Sequence, residues 1–504
     1  MDAPESRDIL ERFLRHVIPK IHAHPALHSI CLTNEPIYRK SHECTFTQNM
    51  WRKCSLRSPT PSAYGLEARH GNIDILNERY NTQYSSFADV PIPIDDVEAE
   101  PLYYDWAIFN QERFAGWHQW MADIIHELAP ELPVHAKIMM WMPFNRHNVT
   151  WGVDAELFGA LSQINGNDCV KMYPHDEVSD WANSWQIENM AYDLQRSVAD
   201  TPIFNSENHL IRDRDFEHIP AAHIRNVLWQ GAIHGQSATT IWVWERTYSK
   251  TSDFAGSIMH RPACAAIVGV TNLDLLRLSR EVAAIQNHKP AVALFYSTAS
   301  IVYSAEYLPM LNLVYEALNF TGVKIGFVTE RQAAEGALAD YKVIIVPQAT
   351  HVTDAAFGGL KNYAALDGKI VTVGDDCLGW NEYNQPRQDK LPIFSAFPSS
   401  LTAQELWRTF DEQLDCPRAT GKGWNVPRPL RVVDSEGRPV WGVELLCAEY
   451  AGGLVINLVN YTRARQTVRL EMAQPYRAAN LFTGEILPDT LTLEPLEPLF
   501  IQTL

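Results

Sequence analysis

The chain has 504 residues, with 42 Lys+Arg against 60 Asp+Glu and a formal net charge of −18. An acidic balance of that size excludes a general binder of nucleic acid or anionic membrane, which needs a basic surface. Hydrophobic residues at 46% and charged residues at 20% are ordinary globular usage and set aside disordered and fibrous classes, and the length predicts two to four domains. Met1–Leu14 has mixed charge and no apolar stretch of signal-peptide type, which places the chain in the cytoplasm on its face. No run approaches the ~18 apolar residues of a membrane span. Eight cysteines, at 31, 44, 54, 169, 264, 377, 416 and 447, are too scattered for a disulfide scaffold and suit a reducing compartment.

From residue 8, Leu10, Phe13, Leu14, Val17, Ile18 and Ile21 recur at helical spacing, with a stop at Pro25. His28–Leu32 reads as a short buried strand running into Thr33-Asn34-Glu35-Pro36. A long irregular excursion from Ile37 to about Asp105 holds one helical piece, Asn72–Tyr80, and Trp106–Leu128 is a strongly amphipathic helix. Strands are expected at Val134–Trp141, Cys169–Tyr173, Ile203–Ser206 and Thr239–Trp244, with helices at about Ile187–Val198 and His223–His234 between the last three. Strand and helix alternating at this rhythm predict a parallel sheet covered by helices.

His288-Lys289-Pro290 marks a break. Beyond it come strand Val292–Tyr296, helix Leu308–Phe320, strand Val323–Val328, helix Arg331–Ala339, strand Val343–Val346, helix Asp354–Ala365 and strand Lys369–Val373. β-branched strands closed by short turns predict a doubly wound α/β domain. Pro417–Pro429 reads as a linker. Short segments at Val440–Leu446, Gly453–Leu458, Thr467–Leu470, Thr490–Leu493 and Leu499–Leu504, separated by hairpin-type turns, predict a small all-β module.

Two glutamates stand out. Glu35 closes a buried strand just before Pro36, and Glu207 sits at the matching place in Pro202-Ile-Phe-Asn-Ser-Glu-Asn-His-Leu210. Strand ends of a parallel α/β barrel are where catalytic groups are displayed. Glycoside hydrolysis needs two such carboxyl groups, one to protonate the leaving oxygen and one to attack the anomeric carbon. The blander reading makes each an ordinary polar rim residue.

The strand ends Thr33-Asn34-Glu35-Pro36 and Ser206-Glu207, with the tryptophan-bearing Ile241-Trp242-Val243-Trp244-Glu245, resemble clan A glycoside hydrolases. The domain order resembles family 42 beta-galactosidases: a barrel, a flavodoxin-like trimerisation domain, then a small β domain. The resemblance implies a partial TIM-type (β/α)8 barrel over residues 1–288, holding about strands four to eight. A flavodoxin-like domain over 289–416 and a β-sandwich over 425–504 follow. It implies Glu35 as acid/base, Glu207 as nucleophile and Asn34 on the sugar 2-hydroxyl. Tyr173, ending the sixth strand, would hold the nucleophile; Trp141 and Trp244 would wall the pyranose, and Glu245 would contact hydroxyls. The implied activity is retaining cleavage of terminal β-glycosides, galactosides among them, with a carbohydrate as partner, a homotrimer built through the middle domain and no cofactor.

The resemblance lacks barrel strands one to three and the family's substrate-binding arginine on the second strand. The expectation drawn from this is an N-terminally truncated reading of a longer gene, whose signal peptide could be lost with it. The alternative is a non-catalytic carbohydrate-binding or oligomer-forming remnant. Cys31, His42, Cys44 and Cys54 match no usual zinc spacing, so no metal is expected. His209 beside Glu207 reads as a structural histidine. The middle domain also resembles class I glutamine amidotransferases, but no Gly-x-Cys-x-Gly elbow surrounds Cys377, which points to an assembly surface.

Overall fold

The computed structural model describes residues 3–52, 65–94, 97–174, 179–211, 217–244, 257–415, 423–426, 428–472 and 476–504. Its first sheet holds five parallel strands in chain order: β1 (Ile30–Asn34), β2 (Val134–Met139), β3 (Asn165–Asp168), β4 (Ile203–His209) and β5 (Gln236–Trp242). Helix α1 (Pro4–Ile21) precedes it. The excursion after β1 carries α2 (Thr45–Arg52), α3 (Leu66–His70) and α4 (Ile73–Tyr80) before the long α5 (Pro101–Leu128). Then α6 (Ala155–Ala160), α7 (Trp185–Val198) and α8 (Ala221–Ile233) alternate with the strands, and α9 (Pro262–Arg277) and α10 (Ser279–Asn287) close the unit.

Helix α5 is apolar on two sides for two reasons. Its C-terminal half, through Met121, Ile124 and Ile125, covers Leu14 and Ile18 of α1 together with Val134 of β2. Its N-terminal half, through Trp106 and Phe109, seats the excursion by gathering Trp51, Leu66, Leu76 and Val90. The Trp51 and Trp106 rings meet edge to face at 5.0 Å, a favourable quadrupole geometry. The described residues between 37 and 105 thus gather into a small satellite core on α5.

The second sheet is parallel in the order β10-β9-β8-β6-β7, built from β6 (Val292–Tyr296), β7 (Ile325–Thr329), β8 (Val343–Pro347), β9 (Lys369–Val373) and β10 (Ser395–Phe397). Helices α11 (Thr298–Tyr303), α12 (Tyr307–Asn319), α13 (Glu330–Ala334), α14 (Asp354–Ala365) and α15 (Ala403–Asp415) flank it. Residues of β6 to β8 are buried almost throughout, as helices on both faces require. The last unit has two antiparallel sheets. One is β11-β14-β16, formed by β11 (Leu430–Val433), β14 (Gln466–Met472) and β16 (Leu491–Leu493). The other is β12-β13-β17-β15, formed by β12 (Val443–Tyr450), β13 (Gly453–Asn460), β15 (Ala478–Asn480) and β17 (Leu499–Thr503). Leu430, Leu445, Ile456, Val468 and Leu491 fill the space between them.

One polar cluster ties the three units together. Glu444 on β12 is fully buried and accepts from Asn189 of α7 (3.3 Å) and Asn319 of α12 (3.0 Å). It also lies 3.3 Å from His234, which follows α8 and pairs with Asp193 of α7 at 2.9 Å.

Two expectations are corrected. The third strand is Asn165–Asp168, not Cys169–Tyr173, so Tyr173 lies in the loop beyond a strand and does not end one. The first strand is shifted two residues later than expected, which brings Asn34 into it and leaves Glu35 as the residue that follows. Part of the expected linker, 416–422 and 427, lies outside the described residues. Among the described residues no helix is long and apolar enough to cross a membrane.

Candidate active site

The chain makes a left-handed turn as it leaves β1. Glu35 has φ +47°, while its N–H donates to the Lys137 carbonyl at 2.9 Å. A non-glycine residue in that region costs about 1 kcal/mol or more, so the surroundings must hold it there. Pro36 follows with its fixed φ and cannot extend pairing. On β4 the pairing with β5 slips between Asn205 and Asn208, and Asn205 Oδ1 accepts the Glu207 N–H at 3.2 Å. Such an irregularity re-aims a side chain. Both glutamates therefore stand where the regular ladder is broken.

They meet on one lysine. Lys137 sits inside β2 with its side chain 4% exposed; its Nζ is 3.5 Å from Glu35 Oε1 and pairs with Glu207 Oε2. Glu207 is 16% exposed and Glu35 38%, which leaves Glu35 the more open of the two. His209, two residues along β4, places Nε2 3.4 Å from Glu207 Oε1 and 3.7 Å from Asp168 Oδ1. Asp168 ends β3 and is buried. Burial, together with the Glu35 carboxyl hydrogen-bonded to it, pushes Asp168 up to about 7 against the pull of Lys137.

The other expected residues divide. Asn34 is exposed at the end of β1 and registers with Lys137. Trp141, just past β2, and Trp244, just past β5, are 40% and 43% exposed, so neither is a buried core residue. Tyr173 is partly buried with its ring 5.4 Å from that of His223 on α8, so it packs toward that helix. Glu245 lies outside the described residues, as does Cys54. Lys137 and Asp168 were not read from the sequence; His209 was weighed as a group tuning Glu207 and read as structural, and it lies against Glu207. A signal was present for Lys137: a lysine in the middle of Val-His-Ala-Lys-Ile-Met must be inside, and a buried lysine needs a carboxylate.

Among the described residues, the donor atoms of Asp168, Glu207 and His209 lie within 4.8 Å of one another, while Cys31 and Cys44 join no such group. The Lys137 ammonium already supplies positive charge to Glu207 there, and we assign no ion. In the middle unit the Cys377 thiol is pushed up to about 12 by burial, so the thiolate that an amidotransferase nucleophile needs is disfavoured.

Comparison with known proteins bears on this geometry. A family model for glycoside hydrolase family 42, described as beta-galactosidase, matches residues 2–263. A beta-galactosidase of Thermus thermophilus is 22% identical over 331 residues, covering 61% of this chain and 49% of its own length. The beta-galactosidase BgaA of a Thermus species is 21% identical with the same coverage. The chain thus spans about half the length of the curated relatives it matches. Among solved structures, an apo exo-carrageenase of family 42 from Bacteroides ovatus superposes with a TM-score of 0.81 at 23% identity, over 100% of this chain and 70% of that one. A beta-galactosidase from Bacillus circulans sp. alkalophilus gives 0.76 at 14%, over 100% and 83%. At these identities the likeness is one of fold, and the five-stranded parallel sheet fits a TIM-type barrel followed by further domains.

Proposed function

This chain belongs to glycoside hydrolase family 42, and from that premise we propose that it is a retaining, exo-acting β-glycosidase of the beta-galactosidase type. Glu35 acts as acid/base and Glu207 as nucleophile. The observation that carries the reading is that both carboxylates reach one buried ammonium from the ends of two strands of the same parallel sheet. Glu207 lies closer to Nζ than the 3.5 Å of Glu35, so those two oxygens are less than twice that distance apart. That favours the roughly 5 Å separation of double displacement over the about 6.5–9.5 Å that leaves room for an inverting water.

In the first step Glu207 attacks the anomeric carbon while Glu35 gives its proton to the leaving oxygen. In the second, Glu35 takes a proton from water as that water displaces Glu207. Lys137 balances the charge on Glu207 from below the reacting centre. Asn34 meets the 2-hydroxyl, and Trp141 and Trp244 offer flat apolar walls to the sugar ring. The five strands correspond to strands four to eight of the barrel, and the middle unit is an assembly surface for a homotrimer.

A nitrophenyl β-galactoside tests the activity. Wild-type chain should turn it over, releasing the β-anomer first by proton NMR, and Glu207→Gln should abolish turnover; unchanged activity in that variant removes the proposal. One observation favours a second reading, carbohydrate binding without turnover: among the described residues β1 and β5 are the two edges of the sheet and do not pair with each other. Galactose binding with no turnover in the wild type selects it. Light scattering on the purified chain tests the trimer.

A further inference from the structure

Just past Glu35 the local chemistry runs against the acidity of the whole chain. Arg39, Lys40 and His42, with His147 and Trp151 from the loop after β2, line a cavity of about 480 Å³. Small-molecule sites occupy about 300–1,000 Å³. Glu43 is the acid among the described lining residues, and it pairs with Lys40 at 3.3 Å. Arg39 has no carboxylate partner among the described residues; its guanidinium lies 4.7 Å from the centre of the Trp151 ring. The indole takes the face of the guanidinium and leaves its N–H edge to an acceptor. In a chain of net charge −18, an arginine without a carboxylate is available to an anion from outside. The loop that carries it is fixed on both sides. The Tyr38 N–H donates to the Trp151 carbonyl at 2.8 Å, Ser41 Oγ donates to Asn110 Oδ1 of α5 at 3.1 Å, and Lys40 between them takes φ +56°. Such a backbone persists in a non-glycine residue only where its surroundings enforce it.

We propose that this cavity is a subsite for a sugar bearing an oxyanion, a sulfate ester or a carboxylate, on the leaving-group side of the scissile bond. The inference rests on Glu35 being the acid/base, the residue that touches the leaving oxygen. Tyr38, in the cavity wall, is three residues further along, and the Cα of Arg39 stands at most about 15 Å from that of Glu35 by chain length alone. Both walls follow the carboxyl ends of strands β1 and β2, the end of the sheet at which Glu35 stands. Arg39 donates a forked pair of N–H groups to two oxygens of one anion, a geometry that a sulfate or a carboxylate matches and a single hydroxyl does not. Lys40 adds a second positive charge, because its pair with Glu43 is exposed on both sides and weakly held. His42 and His147 offer ring nitrogens to the flanking hydroxyls. The substrate class that follows is an oligosaccharide whose terminal sugar is neutral and whose second sugar is anionic.

The test is a binding measurement on the full chain and needs no turnover. Galactose, galactose 4-sulfate and galacturonate are titrated separately, with ligand-detected NMR as the readout. At low salt an anionic sugar should bind at least about 10-fold tighter than galactose, the effect of one hydrogen bond to a charged group, and the difference should narrow at about 0.5 M NaCl. A preference for the sulfate assigns sulfated glycans, and a preference for galacturonate assigns uronate-containing ones. Arg39→Gln should bring the preferred anion to the affinity of galactose, while Arg39→Lys, which keeps the charge and loses the fork, should retain part of the difference. Arg39 is exposed, so both variants leave the core intact. Equal binding of the three sugars, or a preference that survives Arg39→Gln, overturns the proposal. A chain that binds the anionic sugar through Arg39 but leaves a nitrophenyl galactoside intact loses the hydrolase reading and keeps the anion site. One that hydrolyses the galactoside without preferring an anionic sugar loses the anion site alone.

Discussion

Glu444→Gln is the sharpest probe of how the three units are held together. The variant keeps shape and a hydrogen-bonding oxygen but removes a fully buried charge that faces His234 at 3.3 Å. Burial alone would lower the His234 imidazolium, yet Asp193 and then Glu444 outweigh it and raise it from 6.5 to about 10. That net rise corresponds to about 5 kcal/mol left after the cost of burial is met, so the two carboxylates together contribute more than this, with Asp193 the larger contributor. Glu444→Gln should therefore cost about 2 kcal/mol, or about 2–4 °C in melting temperature for a chain of this size. The sign follows from a folded value above the unfolded one. The stabilisation is complete below about pH 6.5 and is lost as pH rises through about 10. Thermal unfolding followed by tryptophan fluorescence at pH 6.5 and pH 10.5 should show a gap between wild type and variant that closes at the higher pH. A gap of equal size at both, or none at pH 6.5, would refute the ion-pair account.

Three further outcomes are expected. In α14, Gly359→Ala would place a methyl 1.7 Å from the Ala333 carbonyl oxygen and should cost about 1–3 kcal/mol or more, whereas Gly358→Ala meets open space and should stabilise by about 0.5–1 kcal/mol; urea midpoints of the pair check this. Trp51→Ala removes a 1% exposed ring that packs on Trp106 and Phe109 and should cost about 3–5 kcal/mol, seen as faster proteolytic cutting within 37–105 while the C-terminal sheets stay protected. Lys137→Met strips the ammonium from between Glu35 and Glu207; kcat/KM should fall at least about 10-fold, and the acid limb of its pH profile should move to higher pH because the carboxyl groups then hold protons longer.

The middle unit was the most legible part of the sequence because its strands are uninterrupted β-branched runs covered on both faces. Val292–Tyr296, Asp354–Ala365 and Lys369–Val373 are observed as expected, residue for residue. The excursion after β1 was the least legible. Its order comes from Trp51, Leu66, Leu76 and Val90 converging on α5 from far along the chain, and no local period reports such a convergence. In the last unit β13 begins where expected, at Gly453, and β12 lies three to four residues later than the expected Val440–Leu446, while the three-residue β15 is too short to carry a pattern.

The candidate site was half legible, and the missing half has one cause. Asn165-Gly166-Asn167-Asp168 is made of residue types that favour turns, whereas the expected strand, Cys169–Tyr173, is more apolar. What makes it a strand is tertiary. A side chain at Gly166 would fall 2.5 Å from the Ala136 carbonyl, so only glycine lets β3 approach β2 so closely. Asn167 Nδ2 donates to Gln195 Oε1 of α7 and Gln195 Nε2 donates to Asn165 Oδ1, polar contacts in place of the apolar burial a strand normally offers. Moving the strand to these four residues puts Asp168 at its carboxyl end, in register with Met139 of β2 and close to Glu207 and His209 of β4. The glutamates could be read because they break an apolar pattern next to proline or serine. Asp168 was hidden because the apolar residues that follow it look more like a strand, and its place beside Glu207 and His209 comes from strands that are distant in sequence.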